Sequence, residues 1–207
     1  MKLSEKVQRL DSTKESAAYL IQTHDGYTLI DTSYAQCGPA ILDELTRINV
    51  KELRRILLTH HDIDHIGNMS LLQRHFRCPV YINSLELPYI QGKLRRSGVK
   101  GLVDRFIKTD ISAELSSLEN AEFDDIVVLH TPGHTPGHSC FLFQGFLFSG
   151  DLFRLPHLRL IPSRKRMNWN TEALMESLRR TIALPFEWVC PAHYQPSLRK
   201  DISKFDD

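Results

Sequence analysis

Cysteine is scarce and scattered in this chain. Its four residues, Cys37, Cys78, Cys140 and Cys190, include no Cys-x-x-Cys pair, which argues against a disulfide framework or a thiolate zinc site. No apolar run approaches the ~20 residues that cross a bilayer. Residues 1–11 are charged and lack an apolar signal segment, so a cytoplasmic protein with reduced thiols is expected. Charge of one sign is missing as well. Twenty-six Lys and Arg stand against 25 Asp and Glu, a net charge of +1. No overall field then favours nucleic acid or a membrane surface, and the expected partner is a small molecule. Repeats, low-complexity tracts and linkers are also lacking, so residues 1–207 are read as a single domain.

What is present is concentrated in one stretch. Imidazoles and carboxylates fill positions 60 to 65, His60-His61-Asp62-Ile63-Asp64-His65, except for Ile63. The stretch follows the apolar run Ile56-Leu57-Leu58. A strand ending in metal-ligand residue types delivers them to a cleft, and mixed imidazole and carboxylate suits zinc, iron or manganese. The competing reading is a polar turn whose Asp residues cap a helix.

The surrounding pattern alternates. Tyr19-Leu20-Ile21 and Tyr27-Thr28-Leu29-Ile30 flank an Asp25-Gly26 turn and read as a hairpin. Ile41, Leu42, Leu45 and Ile48 give residues 39–49 a helical stripe behind Pro39. A strand over 55–59, a helix over 68–76 and a strand over 79–82 follow. Residues 85–118 carry scattered apolar positions and many basic ones, and are read as a mostly helical insertion. A strand over 126–130, a hairpin built from 140–142 and 146–148, a helix over 171–184 and a strand over 188–190 complete the order. This is the pattern of a layered α/β fold.

Ligand-type residues sit just past four of these strands, in the cluster 60–65 and at His134, Asp151 and His193. Together with Leu29-Ile30-Asp31-Thr32, Thr131-Pro132-Gly133-His134-Thr135-Pro136-Gly137-His138, Ser149-Gly150-Asp151 and Pro191-Ala192-His193, they make the chain resemble the metallo-β-lactamase-fold hydrolase superfamily. The resemblance runs from Tyr19 to His193. It implies a four-layer αββα sandwich with a dinuclear metal site at one shared edge. By position, His60 and His134 would bind the first metal, Asp64, His65 and His193 the second, and Asp151 both. Asp31 would brace the site from outside, and His138 would hydrogen-bond near it. The implied cofactors are two divalent ions, zinc first, with iron or manganese as alternatives.

One position departs from the family motif His-x-His-x-Asp-His, because Asp62 replaces its second histidine. Four histidines and three aspartates then carry a formal charge of −3 where the usual set carries −2. Two divalent ions and a bridging hydroxide bring the sum to zero rather than +1, which weakens polarisation and favours harder ions. Three outcomes stay open: Asp62 ligates the first metal, leaves that site weak, or marks a degenerate centre. His61 is not expected to substitute, since adjacent residues in an extended segment face opposite sides.

The resemblance implies a hydrolase in which a metal-held hydroxide attacks a small ester, thioester, lactone or phosphoester, with Asp64 as the catalytic carboxylate. The Thr-Pro-Gly-His run is similar to that of hydroxyacylglutathione thioesterases. A β-lactam is not the expected substrate, since enzymes acting on it are typically exported. A di-iron redox protein and a non-catalytic metal-binding protein of the same fold are the alternatives. Two segments have a local charge sum of +5. One holds Lys93, Arg95, Arg96, Lys100, Arg105 and Lys108 against Asp104; the other holds Arg154, Arg159, Arg164, Lys165 and Arg166. They are read either as a site for an anionic substrate or as solvated surface. Trp169, Phe153 and Tyr194 are candidates for an apolar wall.

Overall fold

Successive residues of a strand face opposite sides of its sheet, and in the central strands of the two main sheets both sides are buried. The computed structural model describes residues 1–96, 110–123 and 125–203. The first half builds β1 (Val7–Arg9), β2 (Tyr19–Thr23), β3 (Gly26–Ile30), helix α1 (Gly38–Arg47), β4 (Arg55–Leu57), the short α2 (Ile63–Ile66), α3 (Met69–Phe76), β5 (Val80–Ile82), α4 (Leu87–Ile90) and β6 (Leu115–Ser117). The six strands form one sheet in the order β1-β2-β3-β4-β5-β6. Strands β3 to β6 run parallel, while β1, β2 and β3 pair antiparallel.

The second half builds β7 (Val127–His130), β8 (Ser139–Phe143), β9 (Phe146–Gly150), the small ribbon β10 (Phe153–Arg154) and β11 (Ile161–Pro162), helix α5 (Thr171–Ile182), β12 (Trp188–Pro191) and β13 (Ser197–Leu198). Its main sheet has the order β13-β12-β9-β8-β7.

Three buried clusters show the layering. Leu20, Leu29, Ile56 and Leu58 pack outward against Ile41 and Leu45 of α1 and Met69 and Leu72 of α3. Their strand neighbours Tyr19, Ile21, Ile30 and Leu57 point the other way and meet Phe141, Phe143, Phe148 and Cys190 of the second sheet. Cys140, Leu147 and Val189 face out of that sheet onto Leu174 and Leu178 of α5. The result is the expected helix–sheet–sheet–helix sandwich. Phe153, a candidate for an apolar wall, lies within the third cluster with Tyr194 packed against it.

Residues 85–118 depart in part from the expected helical insertion. The turn α4 is helical, but Leu115–Ser117 pairs with β5 as the outer strand of the first sheet. Strand β5 otherwise has unpaired backbone groups on that side. Residues 97–109, including Lys100, Asp104, Arg105 and Lys108, lie outside the described residues. Among the described residues no helix is long and apolar enough to cross a membrane.

This topology positions the site. Strands β3 and β4 are parallel, as are β9 and β12. Strand β7, antiparallel to β8 as β8 is to β9, runs the same way as β9. The carboxyl ends of all five carry the segments that hold Asp31, the 60–65 cluster, His134, Asp151 and His193. The sheets are tied together at this rim. Ser139 N donates to Thr59 O at 2.9 Å, Ala17 N to Ala192 O at 2.8 Å, and Tyr19 Oη to Pro191 O at 2.8 Å.

Phe148 is 1% exposed between the sheets, its ring centroid 5.2 Å from that of Tyr19. Phe148→Ala should cost about 3–5 kcal/mol, a fall in Tm of roughly 6–20 °C for a chain of this size. Thermal unfolding followed by circular dichroism measures it.

Candidate metal centre

The candidate residues converge on short turns, and local constraints fix each turn. After β4 the chain passes through Thr59, His60 and His61 to Asp62, which is extended (φ −63°, ψ 142°) and precedes α2. Gly67 ends that helix against the 33–35 segment. A Cβ there would lie 2.4 Å from Ser33 O, so only glycine allows the approach. Gly150 precedes Asp151 with φ +48°, and a Cβ would meet the His138 ring and Thr59 at 2.8–2.9 Å.

Three groups of ligand atoms lie within 4.8 Å of one another: His60, Asp62 and His134; His60, His65 and Asp151; and Asp64, His65 and His193. Asp62 Oδ2 is 3.4 Å from His134 Nε2 and 3.6 Å from His60 Nε2. Asp64 Oδ2 is 3.3 Å from His193 Nε2 and 3.7 Å from His65 Nε2. Asp151 reaches both sides, with Oδ2 3.3 Å from His134 Nε2 and Oδ1 3.2 Å from His193 Nε2. All seven candidate ligand residues are therefore brought to one place. His61 belongs to none of the three groups. Its backbone N donates to Glu86 Oε2 at 2.9 Å, its Nδ1 donates to the same carboxylate, and its ring stacks on Tyr89.

Hydrogen bonds behind the imidazoles set their tautomers. Asp31 sits in left-handed backbone (φ 58°) at the end of β3. Its Oδ1 accepts from Thr59 N at 2.8 Å, and its Oδ2 accepts from Thr59 Oγ1 at 2.8 Å and from His65 Nδ1 at 2.8 Å. The Thr59 hydroxyl proton is thus committed to Asp31, so its oxygen accepts from His60 Nδ1 at 3.0 Å. His193 Nδ1 donates to Glu15 O at 2.9 Å. His134 Nδ1 lies 3.1 Å from Ser163 Oγ. Each ring thereby turns Nε2 inward. His138 works differently: its Nε2 accepts the amide of Asp151 at 3.1 Å and its Nδ1 donates to Thr131 Oγ1 at 2.8 Å. It orients the backbone of Asp151 and has no lone pair left for an ion.

The electrostatics fit cations. His60 Nε2 and His65 Nε2 are buried with no hydrogen-bond partner. Buried ring nitrogens of this kind are costly unless something pairs with them, and divalent ions suit imidazole beside carboxylate. Burial and the neighbouring His65 hold the His60 pKa well below the ordinary range. Burial also pushes His138 down, to about 3. Burial lowers His65 and His193 too, but carboxylates outweigh it. Asp31 and Asp64 bring His65 up to about 9, and Asp151 and Asp64 bring His193 up to about 11. Burial alone would raise Asp151, yet His193 and His134 hold it well below the usual carboxylate range.

Sequence reasoning missed several partners. Glu86 is fully buried, and besides His61 it accepts Gly137 N at 2.6 Å. Arg96 donates from Nη1 to Asp62 Oδ1, with both side chains largely buried. Ser163 and Asn168 back His134. None lies within a motif, and only the excess of arginine near residue 95 was visible beforehand.

Comparison with known proteins identifies the family. The profile of the Metallo-beta-lactamase superfamily matches residues 13–193, and the chain belongs to that superfamily. A probable metallo-hydrolase, YflN, of Bacillus subtilis (strain 168) is 35% identical over 144 residues, which cover 60% of this chain and 54% of that protein. A hydroxyacylglutathione hydrolase of Bdellovibrio bacteriovorus is 33% identical over 154 residues, 72% of this chain and 51% of that one. The chain spans about half the length of these curated relatives. The solved structure of TTHA1623 in a di-iron-bound form superposes with a TM-score of 0.72 at 31% identity, covering 89% of this chain and 90% of that one.

Two outcomes follow for metal uptake. Asp31→Asn keeps the shape but removes the charged acceptor behind His65, and should weaken metal affinity about 10–100-fold, read by competition with a chromophoric chelator. His65 and His193, raised to about 9 and 11, hold their protons at pH 7 until an ion displaces them. Saturation at pH 7 should therefore release about two protons, and affinity should rise as pH rises toward 9. Calorimetry in buffers of different ionisation enthalpy counts them.

Proposed function

We propose that this chain is a metal-dependent hydrolase of a small ester, thioester, lactone or phosphoester. One observation carries the reading: two buried imidazole nitrogens without hydrogen-bond partners face three carboxylates and two further imidazoles at one rim. The names of its relatives, a probable metallo-hydrolase and a hydroxyacylglutathione hydrolase, support the same class.

His60, Asp62 and His134 would hold one ion and Asp64, His65 and His193 a second, with Asp151 between them. Zinc is the first expectation; the di-iron-bound relative is a reason to assay iron as well. Bound divalent ions supply an activated water and polarise the scissile carbonyl or phosphoryl group. The protein's own residues supply orientation. Asp64 has one oxygen beside His193 and His65, and its carboxylate would orient the attacking water and accept its proton. His138 fixes Asp151 through the backbone, and Asp31 fixes His60 and His65 through Thr59. These positions are set before substrate arrives, which is where electrostatic catalysis gains most.

A panel of thioesters, lactones, aryl esters and phosphodiesters, each assayed with zinc, manganese and iron after elemental analysis, tests the proposal. Turnover of at least one class should vanish on chelation and return with metal. Asp64→Asn should lower kcat about 10²–10⁴-fold while the protein stays folded. No turnover across the panel would remove the proposal, and retained iron with oxygen consumption would replace it with redox chemistry.

A further inference from the structure

Beside His134 opens a pocket of about 300 Å³, lined among others by Tyr89, Arg95, Arg96, Arg166 and Trp169. It touches the candidate centre twice. His134 belongs to a ligand group and lines the pocket, and Arg96 lines it while bonded to Asp62. Among the described residues, no Asp or Glu lines it. Arg95 and Arg166 are exposed and make no hydrogen bond or ion pair among the described residues. Arg96 is balanced by Asp62, but Arg95 and Arg166 add positive charge to the lining with no carboxylate among the described lining residues.

The walls are held in place. Trp169 N donates to His134 O at 3.0 Å and Asn170 N to Gly133 O at 2.9 Å, which ties the tryptophan segment to the backbone of the candidate ligand. Asn170 also caps α5. Opposite, Tyr89 stacks on His61 at 4.7 Å between ring centroids and 10° between planes, and Glu86 anchors His61. His61 Nε2 is buried with no partner, and His61 itself lines the pocket. Trp169 is 57% exposed, an unusual placement for a large aromatic side chain on a rigid turn. Such rings supply contact area at low entropic cost.

We infer that this pocket binds the part of the substrate next to the scissile bond, and that this part carries an anionic group, a carboxylate or phosphate, on a flat or apolar stem. Arg95 and Arg166 take the anion, for which the guanidinium fork is matched. Tyr89 and Trp169 take the stem. Arg96 stays with Asp62 and links the pocket to the centre. The inference rests on the hydrolase reading for the word substrate, but the binding itself can be measured without turnover.

Trp169 is its own reporter. The chain has two tryptophans, and Trp188→Phe leaves Trp169 as the single emitter. Titrating this protein, as purified with its metal, with 4-nitrophenylacetate should quench Trp169 saturably. The uncharged 4-nitrophenylacetamide should require at least tenfold higher concentration. 4-Nitrophenyl phosphate in a third arm tells carboxylate from phosphate preference. Arg95→Gln with Arg166→Gln, both at exposed positions, should remove the preference for the anion with metal content unchanged. Equal quenching by acid and amide overturns the inference. So does a preference that survives in the double variant, because the anion would then be held by the metal centre. If quenching behaves as expected and no ester is hydrolysed, the pocket stands and the hydrolase reading falls; if esters turn over with no preference for anions, the reverse holds.

Discussion

The carboxylate of Asp31 joins the parts on which the centre depends. It accepts the amide and hydroxyl of Thr59 and the Nδ1 proton of His65. One side chain therefore locks the end of β3, the end of β4 and the helix α2 to each other. Through Thr59 it also fixes His60. The residue occupies left-handed backbone, a conformation that aspartate tolerates better than most side chains. Removing the charge would loosen two imidazoles at once, although Asp31 belongs to none of the groups that could hold an ion.

Charge at the rim is balanced by a residue far away in sequence. Asp62 makes the candidate ligand set one unit more negative than the histidine of the family motif would. Its two oxygens are divided. Oδ2 faces His134 and His60, while Oδ1 accepts from Arg96. A buried carboxylate paired with a guanidinium keeps its charge at far lower cost than an isolated one. Arg96 returns one positive charge beside the site, so the local sum approaches that of the histidine version. Asp62 and Arg96 act as one ion-paired unit at the rim.

Much of this was legible in the sequence, and the remainder was illegible for physical reasons. Strands and helices with clean periodicity, such as Tyr27 to Ile30 or Leu174 and Leu178, could be placed from pattern alone. Ligand types gathered after strand ends pointed to the rim before any geometry was known. The partners of those residues were not readable. Glu86 and Arg96 sit in segments with no periodic signal and act through contacts that only tertiary packing creates. Strand β6 was missed because three residues, Leu115 to Ser117, carry too few alternations to reveal an edge. Trp169 was weighed as a wall residue beside Phe153 and Tyr194, and composition could not separate the exposed ring from the two packed in the third cluster.

The rim shows how the fold and its chemistry constrain each other. Four imidazoles and three carboxylates crowd one rim, three of the imidazoles buried and His193 exposed, an arrangement that opposes folding on its own. The sheets on either side overdetermine it. Links at Thr59–Ser139, Ala17–Ala192 and Tyr19–Pro191 join the two sheets where the groups converge, and the apolar cluster between the sheets lies behind them. Cations that bind only the folded arrangement shift the balance back toward it. The core therefore does not merely carry the site. Its burial offsets the electrostatic cost of presenting imidazoles and charged oxygens already in position, which is the condition under which ions bind tightly and act on what reaches them.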